Sequence, residues 1–163
     1  MNSKTTMRML EGLPKIYLSD AIYAQSPASF KNKNIRLVIN TSIDSPASEQ
    51  VKRFYINNGI DYLWAPLSDI NMPPEPTYLP RIINYIKKRG KNSGDILIHC
   101  SAGINRSALV TAAILWYTTP NRSLYWSTPK SLIEYMRARQ MFDRKTFLLI
   151  NPTFYNFLLT TLK

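Results

Sequence analysis

Four short apolar runs punctuate the chain: KIYL at 15–18, IRLVIN at 35–40, IDYLWA at 60–65 and DILIHC at 95–100. Each has the length of a strand, and the middle two are nearly continuous in apolar residues, as strands buried on both faces of a parallel sheet tend to be. Between and after them the spacing turns helical. Ser45-Pro46, Thr128-Pro129 and Asn151-Pro152 each place a capping residue before a proline, which suits the first turn of a helix. A helix beginning near Thr77 carries Ile82, Ile83 and Ile86 on its apolar face and has Gly90 as a C-terminal cap. Strands alternating with helices, then a helical final third, predict an α/β fold: a three-layer sandwich in which helices flank a central, mostly parallel sheet. Residues 1–163 read as one domain, with 1–14 as an N-terminal extension, either a frayed end or a dimer arm. The unusual connection is PLSDINMPPEP, residues 66–76, with four prolines in eleven residues. A structured loop of this length after a buried strand is often functional.

Composition narrows the class. A hydrophobic content of 45% suits a full core, and a single cysteine rules out an internal disulfide, so a reducing compartment such as the cytoplasm is expected. The first twenty residues lack a secretory apolar core, and ALVTAAILWY falls short of the roughly 18 apolar residues of a membrane span. The balance of 21 basic against 10 acidic residues gives +11, with Arg81, Lys87, Lys88, Arg89 and Lys91 clustered. Such a field favours anionic partners in general, whether nucleic acid, acidic membrane or phosphorylated protein, although a solvated helix face accounts for any one of these lysines.

The only histidine and the only cysteine stand side by side in ILIHCSAGINRSALV. Cys100 ends a strand, and ligands of open α/β sheets sit beyond the carboxyl ends of strands. The glycine-containing loop that follows and the start of an apolar helix make an anion cradle of backbone N–H groups, to which Arg106 adds a planar fork for phosphate oxygens. Positive charge at a helix N-terminus also lowers a cysteine pKa, so the thiol needs no base. His99 is a poor base in any case, because neighbouring strand residues point to opposite faces. One cysteine and one histidine make no metal site, and no cofactor is called for.

The stretch HCSAGINRS, of the form H-C-x5-R-S, resembles the signature loop of the cysteine-dependent protein phosphatases. The resemblance implies that Cys100 attacks phosphorus and becomes a phosphocysteine. It implies that Arg106 and the backbone N–H groups of Ser101, Ala102, Gly103, Ile104 and Asn105 hold the phosphate oxygens. Ser107 would assist the sulfur as it leaves, and His99 would orient the loop. Leaving-group departure needs an acid. Asp61 and Asp95 begin strands, roughly 15 Å or more from Cys100 at about 3.3 Å per residue, and Glu49 suits a helix first turn. Asp44, Asp69 and Glu75 remain. The family favours Asp69, since APLSD resembles the P-x-x-D of dual-specificity phosphatases, and Glu75 is the second choice.

The chain is too short for the tyrosine-bearing loop of the larger tyrosine-specific domains, and resembles the compact dual-specificity type, in particular its poxvirus members. KIYLSDAIYAQ is similar to the family opening I-Y-L-G-x-x-x-x-A with Ser19 in place of glycine, LVINTS to V-L-N-x-T/S, and NPTFYNFL to N-P-x-F-x-x-Q-L. Phosphorylated proteins are the substrates this implies. RNA is the runner-up, because RNA 5′-triphosphatases of the superfamily share Gly103, Asn105 and Arg106, although they normally lack the aspartate. A phosphoprotein-binding pseudophosphatase would have lost the cysteine, the arginine or the acid, and all three are present. Tyr78, Phe142, Trp64 and Trp126 are read as core residues rather than pocket-rim aromatics.

Overall fold

The computed structural model describes residues 4–163. Five strands form one sheet in the order β1-β2-β5-β3-β4: β1 Lys4–Arg8, β2 Ile16–Ser19, β3 Ile35–Ser42, β4 Asp61–Leu67 and β5 Asp95–His99. The pairings β2–β5, β5–β3 and β3–β4 are parallel. The period-two alternation of these strands divides the core. Ile16, Leu18, Leu37, Ile39, Ile96 and Ile98 pack with the helices α3 (Tyr78–Arg89), α4 (Arg106–Thr118), α5 (Pro129–Arg144) and α6 (Pro152–Thr161). Tyr17, Val38 and Leu97 join the opposite layer, built around Tyr55 of α2 (Glu49–Asn57) and Ala24 of α1 (Ala21–Ala24). The three-layer, mostly parallel architecture is therefore the observed one. Helix α4 has no polar face because it lies across the middle of the larger layer, buried from Arg106 to Trp116.

Within the segment ahead of β2, the described residues Lys4–Arg8 form a strand of the sheet rather than a frayed end. Lys4–Arg8 pairs antiparallel with β2, and α5 covers its outer edge: Thr6 N–H donates to Asp143 at 3.2 Å, while Arg139 and Tyr135 donate to the carbonyls of Thr6 and Met7. Such cover protects an edge strand from foreign pairing. Helix α2 begins later than Ser45-Pro46 predicts. Ser48 is the cap, accepting Val51 N–H at 3.2 Å, because Ser45 is engaged elsewhere: its carbonyl accepts the Asn40 and Gln25 amides and its hydroxyl meets Ser101. Thr128 and Asn151 cap α5 and α6 as expected. Tyr78 and Trp126 are core residues, but Trp64 and Phe142 are 49% and 71% exposed, a correction to their core assignment. Among the described residues no helix is long and apolar enough to cross a membrane.

Candidate active site

Cys100 follows the last residue of β5 and is 2% exposed. Its sulfur lies 3.2 Å from the Ser107 hydroxyl and accepts the Gly103 N–H at 3.2 Å. Burial pushes the thiol up. The hydrogen bonds from the Ser107 hydroxyl and from the backbone of Ser107, Ile104 and Gly103 outweigh that effect, and the thiol ends below its usual value.

The loop between Cys100 and α4 is shaped by what its carbonyls bond to. Cys100 O accepts His99 Nδ1 at 3.1 Å, and Ser101 O accepts Ala21 N–H at 3.1 Å. Ala102 O takes Arg144, Gly103 O takes Arg144 and Gln140, and Ile104 O takes Leu149 N–H. Asn105 O enters the α4 ladder through Leu109. Since N–H and C=O of a trans peptide unit point in opposite directions, carbonyls anchored outward leave the N–H groups facing the sulfur. Gly103 has φ +67°, and a Cβ there would stand 2.4 Å from Ser19 O, so the loop passes where only glycine fits.

His99 is fully buried and its Nδ1 carries the proton, because a carbonyl can only accept. Burial drives its pKa down to about 4, with the Cys100 carbonyl and Asp20 opposing. It is therefore neutral near pH 7 and hydrogen-bonded to the Cys100 carbonyl.

Arg106 opens α4 with its guanidinium 8% exposed as a side chain and paired with Asp44. Its Nη2 donates to Ser101 Oγ at 3.0 Å, and Asp44 also accepts from Ser101 at 2.9 Å and Ser42 at 3.0 Å. The Arg106 hydrogen bond, then that of Ser101, holds the Asp44 carboxyl well below the usual carboxylate range. A carboxylate thus occupies the fork that suits phosphate oxygens. Asp44 stood among the remaining acids by position but was not singled out by sequence, and its loop conformation leaves no periodic signal.

Asp69 is exposed and lies at the loop's mouth. Its Oδ2 accepts Asn105 Nδ2 at 2.9 Å and its Oδ1 accepts Asn151 Nδ2 at 2.9 Å. Asn151 also donates from Nδ2 to Ile70 O at 3.1 Å, and its own N–H reaches Asn105 Oδ1 at 3.0 Å. The residue read as a helix cap therefore also ties the acid-bearing loop to the signature loop. Glu75, the second choice of acid, accepts instead from Thr77 at the start of α3.

A family model described as "Dual specificity phosphatase, catalytic domain" matches residues 16–146. The chain is 28% identical over 116 residues to Dual specificity protein phosphatase Mpk3 of Drosophila melanogaster, a match covering 71% of this chain and 26% of that protein. It is 29% identical over 100 residues to Dual specificity protein phosphatase 14 of Mus musculus, covering 61% of this chain and 47% of that protein. The chain spans about a quarter to a half of the length of these relatives. Human DUSP28 is similar in structure, with TM-score 0.70 and 18% identity over 97% of this chain and 91% of that one. OH1 from the Orf virus gives TM-score 0.66 and 16% identity over 94% and 86%. These two likenesses show the fold. The matched span runs from β2 through the signature loop to the end of α5, and by it the chain belongs to the dual specificity phosphatase family.

Proposed function

We propose that the chain hydrolyses phosphotyrosine and phosphoserine or phosphothreonine in phosphorylated proteins through a phosphocysteine intermediate. One observation carries this reading: a buried thiol held below its usual pKa inside a loop whose carbonyls are turned outward, next to Arg106. The Cys100 thiolate forms the S–P bond while the ester P–O bond breaks. Arg106 and the N–H groups of Ser101 to Arg106 carry the charge spread over the equatorial oxygens. Asp69, tethered by Asn105 and Asn151, supplies the proton to the leaving oxygen. Water then attacks phosphorus and gives a proton to the Asp69 carboxylate. The S–P bond breaks, and Ser107, 3.2 Å from the sulfur, hydrogen-bonds the returning thiolate.

Family membership supports the substrate class. The free thiol suits a reducing compartment such as the cytoplasm. The likeness in fold to OH1, a viral phosphatase, supports the compact viral type. The test is phosphate release from a peptide bearing both phosphotyrosine and phosphothreonine, with Cys100→Ser as control. Release from both sites, abolished in the variant, is expected. Release from neither, with turnover of triphosphate-ended RNA, would replace the reading.

A further inference from the structure

The signature loop is anchored by several donors, but one side chain bridges two of its consecutive carbonyls. Arg144, the last residue of α5, donates from Nη2 to Ala102 O and from Nη1 to Gly103 O, each at 3.1 Å. The guanidinium is 9% exposed as a side chain, and among the described residues its carboxylate neighbour is Asp20, whose Oδ2 stands 3.4 Å away. One turn earlier on α5, Gln140 Nε2 donates to the same Gly103 O at 3.0 Å, and Gln140 Oε1 is fixed by Thr5 Oγ1 of β1 at 2.7 Å.

Peptide planarity transmits this grip to the sulfur. Ala102 C=O and Gly103 N–H belong to one planar unit, and Gly103 C=O and Ile104 N–H to the next. Drawing both oxygens towards Arg144 turns both N–H groups towards Cys100. Gly103 N–H reaches the sulfur at 3.2 Å, and the backbone of Gly103 and Ile104 acts on the thiol in the direction of the anion. A planar fork matches two acceptors at fixed spacing, which an ammonium cannot do. A buried guanidinium is also costly unless negative groups offset it. Asp20 is one such group, and the Cys100 thiolate on the inner side of the same two peptide units is the other.

We propose that Arg144 is a positioning residue of this site, setting the orientation of the Gly103 and Ile104 N–H groups and stabilising the Cys100 thiolate through them. The proposal rests on the phosphatase reading for its reaction but is tested without turnover. The pH dependence of Cys100 alkylation by iodoacetamide titrates the thiol, and protection from alkylation by inorganic phosphate reports the cradle. In Arg144→Gln the thiol titration moves upward, and alkylation near pH 6 slows by about tenfold, a shift of about one pKa unit. In Arg144→Lys the charge stays but the fork is lost. Its titration stays closer to that of the unaltered protein, while phosphate protection weakens by about tenfold, the order expected when binding groups lose their alignment.

Thiol titration and phosphate protection unchanged in both variants, alongside a lowered melting temperature, would show a merely structural arginine and overturn the proposal. Should Arg144→Gln fail to fold, Arg144→Lys decides alone, with unchanged phosphate protection as the refuting result. If the unaltered protein releases no phosphate from phosphopeptides while Arg144→Gln still moves the thiol titration, the phosphatase reading fails and the positioning role stands.

Discussion

Asn151 performs two jobs that aspartate would separate. Its Oδ1 caps α6 by accepting the N–H groups of Thr153 at 3.0 Å and Phe154 at 3.3 Å, while its Nδ2 holds Asp69 and Ile70. Asn151→Asp keeps the acceptor and adds negative charge at a helix N-terminus, so the cap, worth about 1 kcal/mol, survives. It loses the donor and sets one carboxylate against another. A hydrogen bond to a charged group contributes about 1.5–3 kcal/mol when shielded, but Asp69 is exposed, and solvent screening brings the loss to about 1 kcal/mol. Like-charge repulsion of the same order adds to it. The cost falls on where the 69–76 loop sits, so the melting temperature stays within about 4 °C of the unaltered protein. Asn151→Ala, which loses cap and donor together, melts lower.

The assay is kcat across aryl phosphates of graded leaving-group pKa. If Asp69 supplies the proton as proposed, the rate is expected to be nearly independent of the leaving group. In Asn151→Asp, nitrophenyl phosphate slows by less than about threefold, whereas poor leaving groups slow by about tenfold to a hundredfold, the range that general acids supply. A variant with the flat dependence of the unaltered protein would refute the idea that Asn151 places the acid.

Asp44→Asn removes the carboxylate that competes for Arg106, so inorganic phosphate should inhibit several-fold more tightly; an unchanged inhibition constant would mean the pair does not guard the fork. Ser107→Ala removes the first of the hydrogen bonds that favour the thiolate, so the thiol titration followed by alkylation moves upward, and a downward or absent shift refutes that role. His99 gives a stability signature in acid. An unfolded chain takes up its proton near pH 6.5, which the folded chain refuses down to about 4. The contribution is therefore complete above pH 6.5 and lost as pH falls towards 4, on the order of 2–3 kcal/mol in urea unfolding. His99→Gln flattens that part of the profile, and an equally steep loss in the variant would assign it to other groups.

The sheet was legible because β2, β3, β4 and β5 are apolar runs with turn residues between them. Strands β2, β3 and β5 are largely buried on both faces and read that way. Strand β4, at the sheet edge, is exposed or half-buried along its whole length, against the two-faced burial its apolar run suggests. The sequence KTTMR of β1 does not read as an apolar run, since its buried positions include polar residues satisfied by partners outside the strand: Thr5 by Gln140, and Arg8 by Pro14, Thr118 and Thr119. In the site, Cys100 and Arg106 stood out through local context, strand end, glycine and helix start. The supporting residues gave no such signal. Arg144 looked like one more basic residue in a basic helix, and Asn151 like an ordinary cap, because their second partners lie 41 to 82 positions away.

The contact between Thr5 and Gln140 joins residues 135 positions apart, and it bears on when a newly made chain becomes competent. Strand β1 precedes the other described strands in chain order, and the signature loop follows β5. Thr5 of the strand and the Ala102 and Gly103 carbonyls of the loop lack these partners until Gln140 and Arg144 have also emerged. A nascent chain halted just after α4 would hold the thiol without the side chains that anchor the Ala102 and Gly103 carbonyls. Emergence of α5, rather than appearance of the thiol, completes the anchors of the loop.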